Sequence, residues 1–258
     1  MPLLQVAEAE VRFGGVHALR GVDLTVDAGT VTGLIGPNGA GKTTCFNAIC
    51  GLQTISSGRI TFDGADMTGL KPHKRARLGI ARTFQRLEIF GSLSVRENVL
   101  AAAEIRRRWS HDRSDAAANA DAVLALVGLT HLASRAADTL PTGQARLLEL
   151  ARSLATRPRL LLLDEPSSGL SDTESEELGD LLCQLADAGM GVLLVEHDMG
   201  LVMRVCTQIN VLDFGAVLMA GSPAEVRADE GVRAAYLGSA DDPEAPETAD
   251  DELAAAHG

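Results

Sequence analysis

A chain of 258 residues that is 46% hydrophobic holds enough apolar side chain for one large domain, or two small ones, with a true core. Its formal net charge of -12 argues against nucleic acid as a partner. No apolar run is long enough to span a bilayer and no signal peptide opens the chain, so it is expected in the cytoplasm, with any membrane role reached through a partner.

In chain order, residues 22–26 (VDLTV) alternate at period two and predict a strand. Residues 31–35 form a short apolar run, as do residues 160–163 and 192–195, and such runs suit strands buried on both faces of a parallel sheet. The first run leads into GPNGAGKTT, residues 36–44, a full match to G-x-x-x-x-G-K-[ST] between a strand and a helix. Glycines there let the main chain wrap phosphates with its N–H groups pointing inward. Lys42 is expected to reach the β- and γ-phosphates, and Thr43 to put its hydroxyl on Mg²⁺. A glycine-rich turn that merely precedes a helix is the plain alternative, and the full context argues against it. Cys45, Cys50, Cys183 and Cys206 form no C-x-x-C pair and have no histidine cluster beside them, so they read as small buried residues in a reducing compartment.

Residues 59–63 alternate again and run into the turn signal Asp63-Gly64. From about residue 94 to 157 the chain is rich in Ala, Leu, Arg and Glu, and predicts a helical insert. Arg106, Arg107, Arg108 and Trp109 within it read first as a solvated basic face. The stretch LPTGQARLLELARSL, residues 140–154, ends as an amphipathic helix, with Leu147, Leu148, Ala151 and Leu154 on one side and Arg146, Glu149 and Arg152 on the other. Its front, Pro141, Thr142 and Gly143, leaves a nearly bare helix start, which offers unpaired N–H groups and a partial positive charge. Residues 160–165 (LLLLDE) are four apolar residues ending in two acids. Asp164 then stands at the carboxyl end of a buried strand as a partner for Mg²⁺, and Glu165 next to it can take a proton from an attacking water. Ser222-Pro-Ala-Glu225 is a capping box that opens a late helix. Residues 239–258 hold seven acids, Pro243 and Pro246 and no Lys or Arg, and read as a solvated acidic tail.

The order of the phosphate loop, the residue-140 stretch and the paired acids resembles an ATP-binding cassette ATPase. Gln85 in ARTFQ matches that family's glutamine loop, residues 168–172 (SGLSD) the loop after the second acid, and His197 in VEHD the switch histidine. Phe13 stands where the family places an aromatic against adenine. The resemblance implies an α/β fold: a P-loop NTPase core with an antiparallel β subdomain and an inserted α-helical subdomain. The core is expected over residues 1–85 and 158–238, the helical subdomain over 86–157, and the tail over 239–258. It also implies ATP and Mg²⁺ as cofactors. Phe13, Gly36, Asn38, Gly39, Ala40, Gly41, Lys42, Thr43 and Thr44 would bind the nucleotide, and Thr43, Gln85 and Asp164 the metal. Glu165, His197 and Gln85 would be the catalytic set. Thr142, Gly143 and Gln144 of the signature would face the γ-phosphate of an ATP held by a second cassette in a homo- or heterodimer, with Asp172 touching that subunit.

Pro141 stands where the family's serine is common and Thr142 where its first glycine is, so a hydroxyl contact to phosphate is missing at this half-site. The same proline resembles one branch, the ATPases of branched-chain amino acid importers and their urea and amide relatives. RFGGVHAL (residues 12–19), ARTFQRLEIFGSLSVRENVL (81–100), VEHDM (195–199) and residues 211–238 are similar to the larger ATPase of that importer. This implies two transmembrane permease subunits docked near Gln85 and the helical insert, an extracytoplasmic solute-binding protein, and a peripheral place on the inner face of the membrane. A weakly hydrolysing regulatory cassette is the rival that Pro141 raises, and the intact Lys42, Asp164, Glu165 and His197 oppose it. A cassette of translation or DNA repair would bring two cassettes or a long coiled-coil insertion, and the chain has neither.

Overall fold

The computed structural model of the chain describes residues 1–110 and 114–233; the expected acidic tail at 239–258 and the end of the 211–238 match lie outside them. The described chain runs β1 (Leu4–Phe13), β2 (Val16–Val26), β3 (Val31–Ile35), α1 (Lys42–Cys50), β4 (Ser57–Phe62), β5 (Ala65–Asp66), α2 (Pro72–Arg77) and β6 (Ile80–Arg82). The helices α3 (Val95–Ser110), α4 (Ala116–Leu126) and α5 (Thr142–Ala155) follow as the insert. The chain then returns through β7 (Leu160–Asp164), α6 (Asp172–Asp187), β8 (Gly191–Val195), α7 (Met199–Val205), β9 (Gln208–Asp213), β10 (Ala216–Gly221), α8 (Pro223–Ala228) and α9 (Glu230–Val232).

The strands make two sheets. One is antiparallel, in the order β2-β1-β4-β5; the other runs β10-β9-β3-β8-β7-β6, parallel except for the edge strand β10. Every residue of β3, β7 and β8 is buried, as the apolar runs predict. Successive side chains on a strand point to opposite faces, and here each face feeds a different core. Ile35, Leu161, Leu163, Val192 and Leu194 pack with the insert and with α6 and α7. Leu34, Leu160, Leu162, Leu193 and Val195 pack with Phe46 and Ile49 of α1 and with the antiparallel sheet. The insert therefore shares one continuous core with the sheet through Val95, Val99, Leu124 and Leu148.

Local signals resolve as their chemistry requires. Asp63 (φ 51°) and Gly64 (φ 75°) are both left-handed in the tight turn from β4 to β5, the geometry that favours Asp-Gly. Both reciprocal bonds of the Ser222–Glu225 capping box are present. The four cysteines are free; burial pushes the Cys45 and Cys206 thiols up to about 12, so neither is a thiolate at neutral pH. Strand β1, with acids Glu8 and Glu10 and register shifts after Val6 and Ala9, carries no clean alternation and is found only in the structure.

Helix α1, which begins at the phosphate loop, is closed at its far end by one buried side chain. Arg75, 3% exposed, donates to the carbonyls of Ala48 (2.6 Å), Ile49 (2.8 Å), Leu70 (2.9 Å) and Thr68 (2.7 Å). A cation on the last carbonyls complements the helix dipole. Replacing Arg75 by Met should remove about 3 kcal/mol of unfolding free energy, since it strips four acceptors of a charged donor. Urea unfolding checks this; a loss below about 1 kcal/mol would mean water serves those carbonyls equally well.

Candidate functional site

The loop between β3 and α1 is moulded against main chain from elsewhere. At Gly36 (φ 149°) a Cβ would lie 2.0 Å from the Leu212 carbonyl, and at Gly41 (φ 109°) 2.7 Å from that of Ala18. Neither position admits a side chain, so these two glycines are set by close approach as well as by dihedral. Gly41 is the N-cap of α1 and supplies no side-chain hydrogen bond, which leaves the helix start open to an anion. Lys42 is buried and its Nζ donates to the carbonyls of Gly36 (2.6 Å) and Pro37 (3.0 Å). Burial lowers its pKa, while the neighbouring Glu165 and Asp164 carboxylates oppose that shift.

This loop forms one wall of a cleft of about 410 Å³. Asn38, Gly39, Ala40, Gly41, Lys42, Thr43 and Thr44 line it together with Gln85, Asp164 and Glu165, so residues far apart in sequence converge there. The hydroxyl, amide and carboxylate oxygens of Thr43, Gln85 and Asp164 are hard donors of the kind Mg²⁺ takes. Glu165 is held at the end of β7 in the left-handed region (φ 51°), its N–H bonded to the Val195 carbonyl at 2.9 Å. Its carboxylate stands 3.0 Å from His197 Nε2 and receives the Gln85 amide at 3.3–3.4 Å. The three expected catalytic residues thus form one hydrogen-bonded set. A bulky residue at positive φ costs on the order of 1–3 kcal/mol, a strain typical of functional positions.

The sequence reading missed several members of the site. Glu196, 2% exposed, accepts from the N–H groups of Ser167 (2.7 Å), His197 (3.0 Å) and Asp198 (3.4 Å), and so locks the loop after β7 to the one carrying His197. Arg82 pairs with Asp164 at 2.9 Å, with both side chains nearly excluded from water. Phe214, 76% exposed and at φ 42°, lines the cleft beside Val16 and His17. Phe13, expected on the base, ends β1 half-exposed next to that rim; its strand partner Val16 lines the cleft and Phe13 does not. Of these, Phe214 has a local sequence signal, an aromatic directly before a glycine.

The signature residues lie apart from this cleft. Helix α5 begins after Pro141 with no side-chain cap, as predicted. Gly143 is packed: a Cβ there would come 2.8 Å from the Leu170 side chain. Gln144 Oε1 is buried without a partner among the described residues. The polar face of α5 is engaged by another segment of the chain. Arg146 donates to the carbonyls of Phe84 (2.7 Å) and Gln85, Glu149 accepts from the Phe84 N–H (3.3 Å), and Arg152 donates to the Glu88 carbonyl and stacks on Phe90. The polar stripe of α5 therefore clamps the glutamine loop. Burial raises the pKa of Glu149 against the pull of these donors.

Two family models match the chain. One, described as ABC transporter, spans residues 19–168; the other, described as branched-chain amino acid ATP-binding cassette transporter, spans residues 216–242. The chain is 42% identical to the high-affinity branched-chain amino acid transport ATP-binding protein BraF of Pseudomonas aeruginosa, over 93% of this chain and 99% of that one. Its identity to LivG of Escherichia coli, of the same description, is 37% at the same coverage. Among solved structures, an ATP-binding cassette of an ABC transporter in its ADP conformation superposes with a TM-score of 0.83 at 30% identity, covering 92% of this chain and 99% of the other. A nucleotide-free cassette from an ABC transporter gives the same TM-score and coverage at 29% identity. Fold, site and sequence agree: this chain belongs to the ABC transporter family, as one of its ATP-binding cassettes.

Proposed function

We propose that this chain is the ATP-binding and ATP-hydrolysing subunit of an importer of branched-chain amino acids. The solute class is supported by the descriptions of its relatives and by the match over residues 216–242. The observation that carries the hydrolytic reading is Glu165, held by His197 and Gln85 on the cleft that Lys42 and the phosphate loop line. In this reading Lys42 and the loop N–H groups bind the phosphates of ATP. Thr43, Gln85 and Asp164 hold Mg²⁺, which when bound supplies positive charge against the phosphate oxygens. Glu165 takes the proton of the attacking water, and His197 keeps its carboxylate aimed.

The cassette acts as one half of a head-to-tail pair, a homo- or heterodimer. The uncapped start of α5 supports a ligand brought by a second cassette to Thr142, Gly143 and Gln144. Pro141 makes this the weaker kind of half-site. Two permease subunits dock in a groove of about 380 Å³ whose rim carries the exposed Leu52, Phe84 and Ile105 beside Trp109. No helix among the described residues is long and apolar enough to cross a membrane, so the cassette would reach the inner membrane face through those permeases, and the solute-binding protein only indirectly. Residues 86–157 would move as the helical subdomain.

Glu165→Gln should lower ATP turnover about a hundredfold or more while nucleotide still binds. ATP should then hold it as a dimer in light scattering; unchanged turnover would remove Glu165 from the role of base. Phe13→Ala and Phe214→Ala, compared with a fluorescent nucleotide, locate the base. If Phe13 stacks on it, only that variant should lose about tenfold in affinity, whereas a loss confined to Phe214→Ala would put the base against the β9–β10 turn.

A further inference from the structure

Asp164 ends a strand buried on both faces, and its own side chain is 4% exposed. A carboxylate so placed needs a compensating cation. The cation is Arg82, on the neighbouring edge strand β6, whose Nη2 reaches Asp164 Oδ2 at 2.9 Å. No hydrogen bond reaches the other oxygen, Oδ1, among the described residues. The remaining contacts of Arg82 are of an unusual kind for a core ion pair. Its Nη1 donates to Asn47 Oδ1 on α1 at 2.6 Å. Its guanidinium lies between two rings, 5.3 Å from Phe46 of α1 and 4.9 Å from Phe84 of the glutamine loop. Its Nε is buried without a partner.

Stability alone accounts poorly for this arrangement. A buried ion pair is often no better than an apolar pair of the same volume, and an orphaned N–H makes it worse. What the pair does supply is position. One rigid, planar side chain touches the helix that begins at the phosphate loop, the carboxylate at the end of β7 and the ring just before Gln85. Phe84 is in turn gripped through its main chain by Arg146 and Glu149 of α5. The guanidinium therefore fixes the carboxylate by one oxygen and leaves the other for a ligand in the cleft.

We propose that Arg82 is the positioning residue of the metal-binding carboxylate: it anchors Asp164 Oδ2 so that Oδ1 is presented to Mg²⁺, and it sets Asp164 in register with the phosphate-loop helix and the glutamine loop. This rests on the nucleotide-binding reading above. Groups that orient a metal ligand typically cost 10–100-fold in metal affinity when removed.

The test is equilibrium binding of a fluorescent ADP by the full-length chain, first in EDTA and then across a Mg²⁺ titration. Arg82→Gln should raise the half-maximal Mg²⁺ concentration about tenfold, beyond any change in its own affinity in EDTA, with Arg82→Lys between the two. Thermal unfolding of each variant identifies any that fails to fold. Should Arg82→Gln fail, Asn47→Ala decides. It removes one anchor and keeps the charge, and it should shift the Mg²⁺ midpoint upward about threefold. A folded Arg82→Gln or, failing that, Asn47→Ala whose midpoint is unshifted or moves downward overturns the assignment while nucleotide binding stands. A wild-type chain that binds no nucleotide, with or without Mg²⁺, overturns the functional reading and this assignment with it.

Discussion

Strands β3, β7 and β8 have no exposed residue, and most of what this molecule does follows from that burial. A strand packed on both faces cannot carry charge along its length without a partner, so reactive groups are driven to its end. In a parallel sheet the carboxyl ends lie on one edge, and ligands collect there. Lys42 follows β3, Asp164 and Glu165 finish β7 and follow it, and His197 comes just after β8. The catalytic set is thus assembled by sheet order, with β3, β8 and β7 side by side.

The parts of the site legible in the sequence are those whose function depends on local main chain. The phosphate loop could be read because its glycines occur at fixed spacing between a strand and a helix. The acids after 160–163 could be read because an apolar run ended on them. Arg82, Glu196 and the Arg146–Glu149–Arg152 stripe could not. Their partners lie 82, 29 and about 60 residues away, and nothing nearby in the chain marks a polar side chain that will bury itself on a distant loop. Amphipathic spacing correctly separated the two faces of α5, yet named no partner for the polar one. Periodicity tells faces apart and is blind to whether the polar one meets water or another segment's carbonyls.

That stripe changes how the signature helix is understood. The glutamine loop is fastened to α5 by four contacts from three side chains, with Arg152 also covering Phe90. Gln85 in the cleft and Gly143 at the start of α5 are therefore rigidly related within one chain.

The phosphate loop itself is closed from behind by residues that arrive late. Gly36 abuts the Leu212 carbonyl, and the Gly215 N–H donates to Ala40 at 2.9 Å while its carbonyl receives the Arg20 N–H at 2.7 Å. During synthesis the motif leaves the ribosome long before the strand that shapes it. A nascent chain that stops before Leu212 has the glycines, the lysine and the Ala18 carbonyl beside Gly41, but lacks the Leu212 carbonyl against Gly36 and the Gly215 bond to Ala40, so the loop gains its full support only when almost the whole described chain has been made.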